Sequence, residues 1–252
     1  MLQICNLNKN FGGVKAVQNF NMEVEKGSIT GIIGPNGAGK TTILNLISGI
    51  YKADAGQIFF NNRDISNMRQ HQIVRLGISR TFQNIRLFKG LNCLDNVKAA
   101  RDYCTPYNLL EALLQLPRVA RAERELERVA RECLELVNLS HYAPEKPENL
   151  PYGLQRRLEI ARALVNKPRL LLLDEPAAGL NPEEVSDLIQ LIKKIYHDLQ
   201  LTIIIIEHKM EVIMNLCQKI YVQNFGQTIA VGTPGEIQTN KEVLQAYLGE
   251  EA

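Results

Sequence analysis

Apolar positions follow two kinds of pattern along the 252-residue chain. Some runs are apolar throughout: Ile29 to Ile33 (ITGII), Leu170 to Leu173 (LLLL) and Ile203 to Ile206 (IIII). Strands covered on both faces have that character. Other stretches place apolar residues on one side of a 3.6-residue turn. Residues 41–50 predict such a helix, with Ile43, Leu44, Leu46 and Ile47 apolar, and residues 183–199 another, with Val185, Leu188, Ile189, Ile192 and Ile195. The second has a full start signal: Asn181 as N-cap, Pro182 at the first position, and Glu183 and Glu184 in the first turn. From residue 168 the order is strand 169–173, helix 183–199, strand 201–206, helix 209–217 and strand 219–223. That alternation predicts a parallel α/β core. Upstream, residues 1–33 carry short apolar stretches and a turn at Glu25-Lys26-Gly27, consistent with strands, and 57–60 (QIFF) and 78–83 (ISRTFQ) predict further strands.

The middle of the chain breaks this rhythm. From about 94 to 149 the pattern is helical and rich in charge, and it predicts an insertion into the α/β core. Between Arg118 and Val137 Arg and Glu alternate, with Glu127/Arg131 and Arg128/Glu132 at i,i+4 spacing. Leu126, Val129, Cys133, Leu136 and Val137 form a narrow apolar stripe, so this is a solvated helix with one buried face.

Composition narrows the class only slightly. The net charge of +2 gives no case for a nucleic-acid partner or an anionic membrane surface. Cys5, Cys93, Cys104, Cys133 and Cys217 are scattered without metal-ligand spacing, as expected of small core or surface residues in a reducing compartment. The N-terminus is too polar for a signal peptide, and the longest apolar runs are too short to span a bilayer. A cytoplasmic protein is expected, touching a membrane only through a partner.

Two segments carry chemistry. Gly34 to Thr41 (GPNGAGKT) matches G-x-x-x-x-G-K-[ST] between a predicted strand and a predicted helix. Glycines allow the backbone N–H groups of Asn36, Gly37, Ala38 and Gly39 to turn onto phosphate oxygens, and the helix adds its positive end. Lys40 then reaches the β- and γ-phosphates, the Thr41 hydroxyl ligates Mg²⁺, and Thr42 touches the α-phosphate. The second segment is Asp174-Glu175, paired carboxylates at the end of a buried strand. Beside a phosphate loop, Asp174 suits the metal side of a P-loop site and Glu175 faces the attacking water as base. Standing alone, the same pair would read equally well as a cap on the turn before Pro176.

On these residues and five further motifs the chain resembles the ATP-binding-cassette (ABC) family over nearly its whole length. LPYGLQRRLEIARAL at 150–164 is similar to that family's signature segment, AAGLNP at 177–182 to its D-loop, and IIEH at 205–208 to its switch-histidine strand. Phe11 stands where the family stacks an aromatic on adenine, with a core aromatic as the lesser alternative, and Gln83 in RTFQ stands at the Q-loop.

The resemblance implies an α/β P-loop NTPase with a RecA-like core, an N-terminal antiparallel β subdomain and an inserted α-helical subdomain. It implies one domain over 1–252, with 84–162 as the insert. ATP and Mg²⁺ are the implied ligands. Thr41, Gln83 and Asp174 would hold the metal, Glu175, His208 and Gln83 would serve catalysis, and Phe11 would hold adenine. Two subunits, identical or paralogous, would close around two ATPs, with Gly153 and its helix start meeting the partner's γ-phosphate. Pro151 fits the first helical position.

Within the family the resemblance is to ATPases of branched-chain amino-acid (LIV-type) importers, carried by FGGVKAV, SRTFQNIRLFKGLNCLDNV, RRLEIARAL, DEPAAGLNP and GTPGEI…AYLGEEA. This implies integral-membrane permease partners, an indirect link to a substrate-binding protein, and a location on the inner face of the cell membrane. Residues 84–97 would line the groove for a permease helix, or else pack as an ordinary short helix. A lipopolysaccharide-export ATPase shares several of these features. A soluble ABC ATPase acting on DNA or ribosomes, and a P-loop kinase, are further alternatives. The chain departs from the usual Ser-Gly-Gly-Gln signature with Pro151-Tyr152-Gly153-Leu154, so an apolar Leu154 would stand near the dimer interface.

Overall fold

A computed structural model describes residues 1–101, 111, 113, 114 and 116–248. Cys104, part of the helical middle and the last residues of the GTPGEI…AYLGEEA tail lie outside the described residues. The chain divides into two compact units. One comprises Met1–Gln83, Arg169–Ala178 and Val185–Ala252, and the other Asn84–Pro168 and Gly179–Glu184. The second unit thus extends beyond the expected insert of 84–162 to Pro168, and it takes in Gly179–Glu184 as well.

The first unit contains two sheets. Strands β1 (Leu2–Phe11), β2 (Val14–Val24), β4 (Ala55–Phe60) and β5 (Arg63–Asp64) form an antiparallel sheet in the order β2-β1-β4-β5. Strands β3 (Ile29–Ile33), β6 (Ile78–Arg80), β7 (Leu170–Asp174), β8 (Thr202–Ile206), β9 (Lys219–Asn224) and β10 (Gln227–Gly232) form the second, in the order β10-β9-β3-β8-β7-β6. Every pair in it is parallel except the edge pair β10-β9. All residues of β3, β7 and β8 are buried, which is what their unbroken apolar runs require. A single core joins residues of both sheets, among them Leu2, Phe20, Ile58, Leu172 and Ile204, with helix α1 (Lys40–Ile47) contributing Ile43, Leu44 and Ile47.

Several element ends differ from the sequence expectation, each for a local reason. Helix α1 stops at Ile47 rather than residue 50 because Gly49 takes a left-handed φ of +71°. The strand predicted over 78–83 pairs only over Ile78–Arg80, against Leu170–Leu172 of β7. Beyond helix α2 (Gln70–Arg75), the second unit holds α3 (Cys93–Ala99), α4 (Pro117–Leu136) and α5 (Tyr152–Leu164), which pack on one another. The buried face of α4 is Leu126, Val129, Ala130, Cys133 and Leu134. Leu134 takes the buried place expected of Leu136, which lies at the edge of the stripe and is partly exposed. Its opposite face carries Glu127–Arg131 at 2.7 Å and Arg128 between Glu125 and Glu132. Pro151 is the N-cap of α5, with extended ψ, and not its first helical residue; Tyr152 occupies that position.

Helix α6 (Pro182–Leu199) starts as expected. Asn181 Oδ1 accepts from Glu184 N at 2.9 Å while Glu184 Oε2 accepts from Asn181 N at 3.0 Å, a reciprocal capping box. Helices α7 (Met210–Leu216), α8 (Pro234–Gln238) and α9 (Lys241–Leu248) complete the first unit. Among the described residues no helix is long and apolar enough to cross a membrane.

Asn96 organises the segment that precedes α3. Fully buried, it accepts from Phe88 N at 2.8 Å and donates to the carbonyls of Phe88, Leu91 and Asn92 at 3.0–3.1 Å. Asn96→Ala orphans these groups and is expected to lower unfolding stability by about 3 kcal/mol in denaturant titration. Limited proteolysis should then cut within 84–92; an unchanged midpoint and digestion pattern would show that the network contributes nothing.

Candidate functional site

The phosphate loop runs from the end of β3 into α1. At Gly34, with φ +145°, an added Cβ would lie 2.0 Å from the Gln223 carbonyl oxygen. At Gly39, with φ +98°, it would lie 2.2 Å from that of Ala16. The glycines are therefore required by close backbone approach as well as by φ. Lys40 is buried, and its Nζ donates to the carbonyls of Gly34 and Pro35 at 2.6 and 2.7 Å, curling the loop around its own ammonium group. No side chain caps the N-terminus of α1 and no acidic residue lies in its first turn, so the helix itself supplies no carboxylate to take up its N–H groups.

These residues line a cavity of about 380 Å³, within the range of small-molecule sites. Its walls are Asn36 to Thr42, Gln83 and Glu175, with Val14, Lys15, Ala16 and Phe225. Phe11 is not among them. It sits edge-on to Tyr51 at 5.2 Å between ring centres, with Lys9 Nζ 5.4 Å from its ring.

The paired carboxylates have different surroundings. Asp174 is buried at the end of β7, and its Oδ2 accepts from Arg80 at 2.7 Å. The same guanidinium donates to Asn45 Oδ1 and Ser48 Oγ on the α1 side, at 2.7 and 3.0 Å. Glu175 has a left-handed φ of +46°, and its N–H donates to the Ile206 carbonyl at 2.9 Å. The turn thereby points its side chain into the cavity, where Gln83 Nε2 donates to Oε2 at 2.7 Å. His208 Nδ1 lies 3.9 Å from the same oxygen, beyond hydrogen-bond length. The structure thus brings together Lys40, Thr41, Thr42, Gln83 and Glu175 in one cavity, with His208 beside Glu175.

Sequence reasoning missed Glu207. Its carboxylate is fully buried, with Oε1 accepting from Ala177 N at 2.6 Å and Oε2 from the N–H groups of His208 and Lys209 at 3.1 and 3.3 Å. Burial pushes its carboxyl above the usual range, against the pull of those donors. The group ties the chain after Glu175 to the chain around His208. Its one sequence signal was an acid directly after an apolar strand. Arg80 was equally hidden, because only the parallel register of β6 on β7 directs it to Asp174.

The second unit carries the 150–164 segment. Tyr152 and Gly153 open α5, and an added Cβ on Gly153 would lie 2.7 Å from Glu184 Oε1. The Tyr152 hydroxyl accepts from Arg156 at 3.0 Å, and the fully buried Arg156 donates to Glu159 Oε2 at 3.0 Å. Glu159 Oε1 accepts from Arg86 N at 2.9 Å, while burial raises its carboxyl. Leu154, next to Gly153, is partly exposed. Phe88, 51% exposed, faces the Arg162 guanidinium at 5.1 Å, and Leu91 is also exposed, whereas Cys93 and Val97 are buried.

Known proteins match this arrangement. The ABC transporter family model matches residues 17–178, and a branched-chain amino acid ATP-binding cassette transporter model matches residues 227–252. The chain is 43% identical to the high-affinity branched-chain amino acid transport ATP-binding protein BraF of Pseudomonas aeruginosa, over 99% of this chain and 98% of that one. It is 42% identical to LivG of Escherichia coli over the same shares. Among solved structures, the ADP conformation of an ABC transporter cassette superimposes with a TM-score of 0.86 at 33% identity, covering 99% of this chain and 98% of that one. A dimeric cassette with bound ADP and phosphate matches with a TM-score of 0.78 at 26% identity, covering 93% and 99%. With this fold, this phosphate loop and these matches, the chain belongs to the ABC transporter family of ATP-binding cassettes.

Proposed function

We propose that the protein is the ATP-hydrolysing subunit of a membrane transporter that imports branched-chain or related hydrophobic amino acids. The observation that carries the ATPase part is the single cavity in which Lys40, Thr41, Gln83 and Glu175 meet. The match of residues 227–252 to the branched-chain family, and the branched-chain amino acid transport named for BraF and LivG, support this substrate class over a lipopolysaccharide-export role.

In this reading ATP binds with its phosphates on the N–H groups of residues 36–39 and the start of α1. Lys40 exchanges the loop carbonyls it holds for the β- and γ-phosphate oxygens. The Thr41 hydroxyl, a Gln83 oxygen and the Asp174 carboxylate are hard oxygen donors suited to Mg²⁺, which neutralises phosphate charge when bound. Glu175 takes a proton from the attacking water, held in place by Gln83, and His208 contacts the γ-phosphate. Phe11, edge-on to Tyr51 and 41% exposed, would hold one face of adenine. Two subunits close around two ATPs, each presenting Gly153 and the N-terminus of α5 to the partner's γ-phosphate. ATP binds the closed pair better than the open pair, and that difference moves the permease subunits. Residues 84–97 form the groove that receives a permease helix, with Phe88 and Leu91 at its surface. The subunit then sits on the inner face of the membrane as part of one cassette spanning 1–252, with 84–162 as the helical insert. A nucleic-acid partner has no support from the charge balance.

Glu175→Gln keeps the side chain's shape but removes the base. Turnover should fall by roughly 10²–10⁴-fold while ATP still binds and the protein elutes as a dimer in ATP; normal turnover in that variant would remove Glu175 from the role. Glu207→Gln leaves an amide donor facing a backbone N–H. It should lower kcat about tenfold with the ATP dissociation constant within about twofold; equal loss of binding would mean a general unfolding of the site. Leu154→Gln should raise ATP-dependent dimerisation measured by light scattering, and no change places that side chain outside the interface.

A further inference from the structure

The tip of the β9–β10 hairpin has two residues, Phe225 and Gly226, because Asn224 pairs with Gln227. Both have positive φ, +44° and +78°. Two-residue tips of this kind favour Asn-Gly, and a bulky side chain at the first position is strained. Phe225 is also 82% exposed, so an apolar ring is held in water on an unfavourable backbone. Neither packing nor turn chemistry accounts for it, and strain of this sort accumulates at ligand sites.

The tip is fixed to the rest of the site. Gly226 N donates to the Ala38 carbonyl at 3.2 Å, Gln18 N donates to the Gly226 carbonyl at 2.8 Å, and Gln18 Nε2 donates to that of Phe225 at 3.0 Å. A Cβ on Gly226 would lie 2.7 Å from the Lys15 carbonyl oxygen, so the close approach is built in. Phe225 is therefore presented from a rigid support that holds the phosphate loop itself, and it lines the same cavity. Lys40, Thr41 and Thr42 supply the polar wall; Val14, Ala16 and Phe225 supply apolar surface. A nucleoside triphosphate has one flat, weakly hydrated part, its base. Phe11, packed on Tyr51, is outside the lining.

We propose that Phe225 is a specificity-determining residue whose ring takes the purine of the bound nucleotide, with Val14 beside it. This rests on the nucleotide reading of the cavity. The test uses the full chain and two probes, ATP and inorganic tripolyphosphate, titrated calorimetrically into wild type, Phe225→Asn and Phe225→Tyr. Asn suits the left-handed position, so Phe225→Asn should melt at the wild-type temperature or above it. The expected result is about tenfold weaker ATP binding in Phe225→Asn, unchanged tripolyphosphate binding, and ATP affinity kept in Phe225→Tyr. Equal ATP affinity in Phe225→Asn overturns the proposal. So does a parallel loss of tripolyphosphate binding, since the tip would then merely prop the phosphate loop. Wild type that binds neither probe would instead sink the nucleotide reading of the cavity.

Discussion

The register of three buried parallel strands determines where the reacting groups stand. Ile32 of β3 and Asp174 of β7 both pair with Ile206 of β8, so the three strands run out together at one sheet edge. The phosphate loop, the paired carboxylates and the Glu207-His208 corner each begin within a residue or two of that line. A one-residue slip would turn Asp174 away and move Glu175 off the Ile206 carbonyl. All residues of β3, β7 and β8 are buried, Thr30, Asp174 and Thr202 among them, so a slip would carry Asp174 and Thr202 away from the partners placed for them.

Polar groups just beyond the strand ends then receive individual partners. Asp174 has Arg80, Glu175 has Gln83, and Glu207 has three backbone N–H groups. The last arrangement explains the residue type at 207. Every neighbour is a donor, and a carboxylate is the side chain that accepts at both oxygens. Burial without those donors would leave the charge uncompensated, so the chemistry and the local fold are mutually dependent.

Much of this was legible in the residues. The phosphate loop, Asp174-Glu175, the capped start of α6 and the all-apolar strands follow from spacing and burial pattern alone, because each is a local rule. The roles of Gln83, His208 and Gly153 came only from family likeness. Glu207, Arg80 and Phe225 were not found, since their meaning depends on partners 30 or more residues away in sequence. Pro151 illustrates a smaller failure. Proline is compatible with both the cap and the first helical position, and nothing in the neighbouring residues separates the two. The burial of Leu134 in place of Leu136 has the same origin, because a stripe on a 20-residue helix has edges that periodicity does not locate.

The Arg80–Asp174 pair alters how experiments on the carboxylate can be interpreted. Both side chains are almost wholly withdrawn from water, at 6% and 1% exposure. Neutralising Asp174 removes the carboxylate proposed for the metal and also strands a guanidinium beside α1, a defect of about 3–5 kcal/mol in buried pairs. An inactive Asp174 variant is therefore ambiguous evidence about the metal, and its thermal stability belongs beside its activity. For stability alone, positions 80 and 174 are coupled, so replacing both with apolar residues costs less than replacing either one.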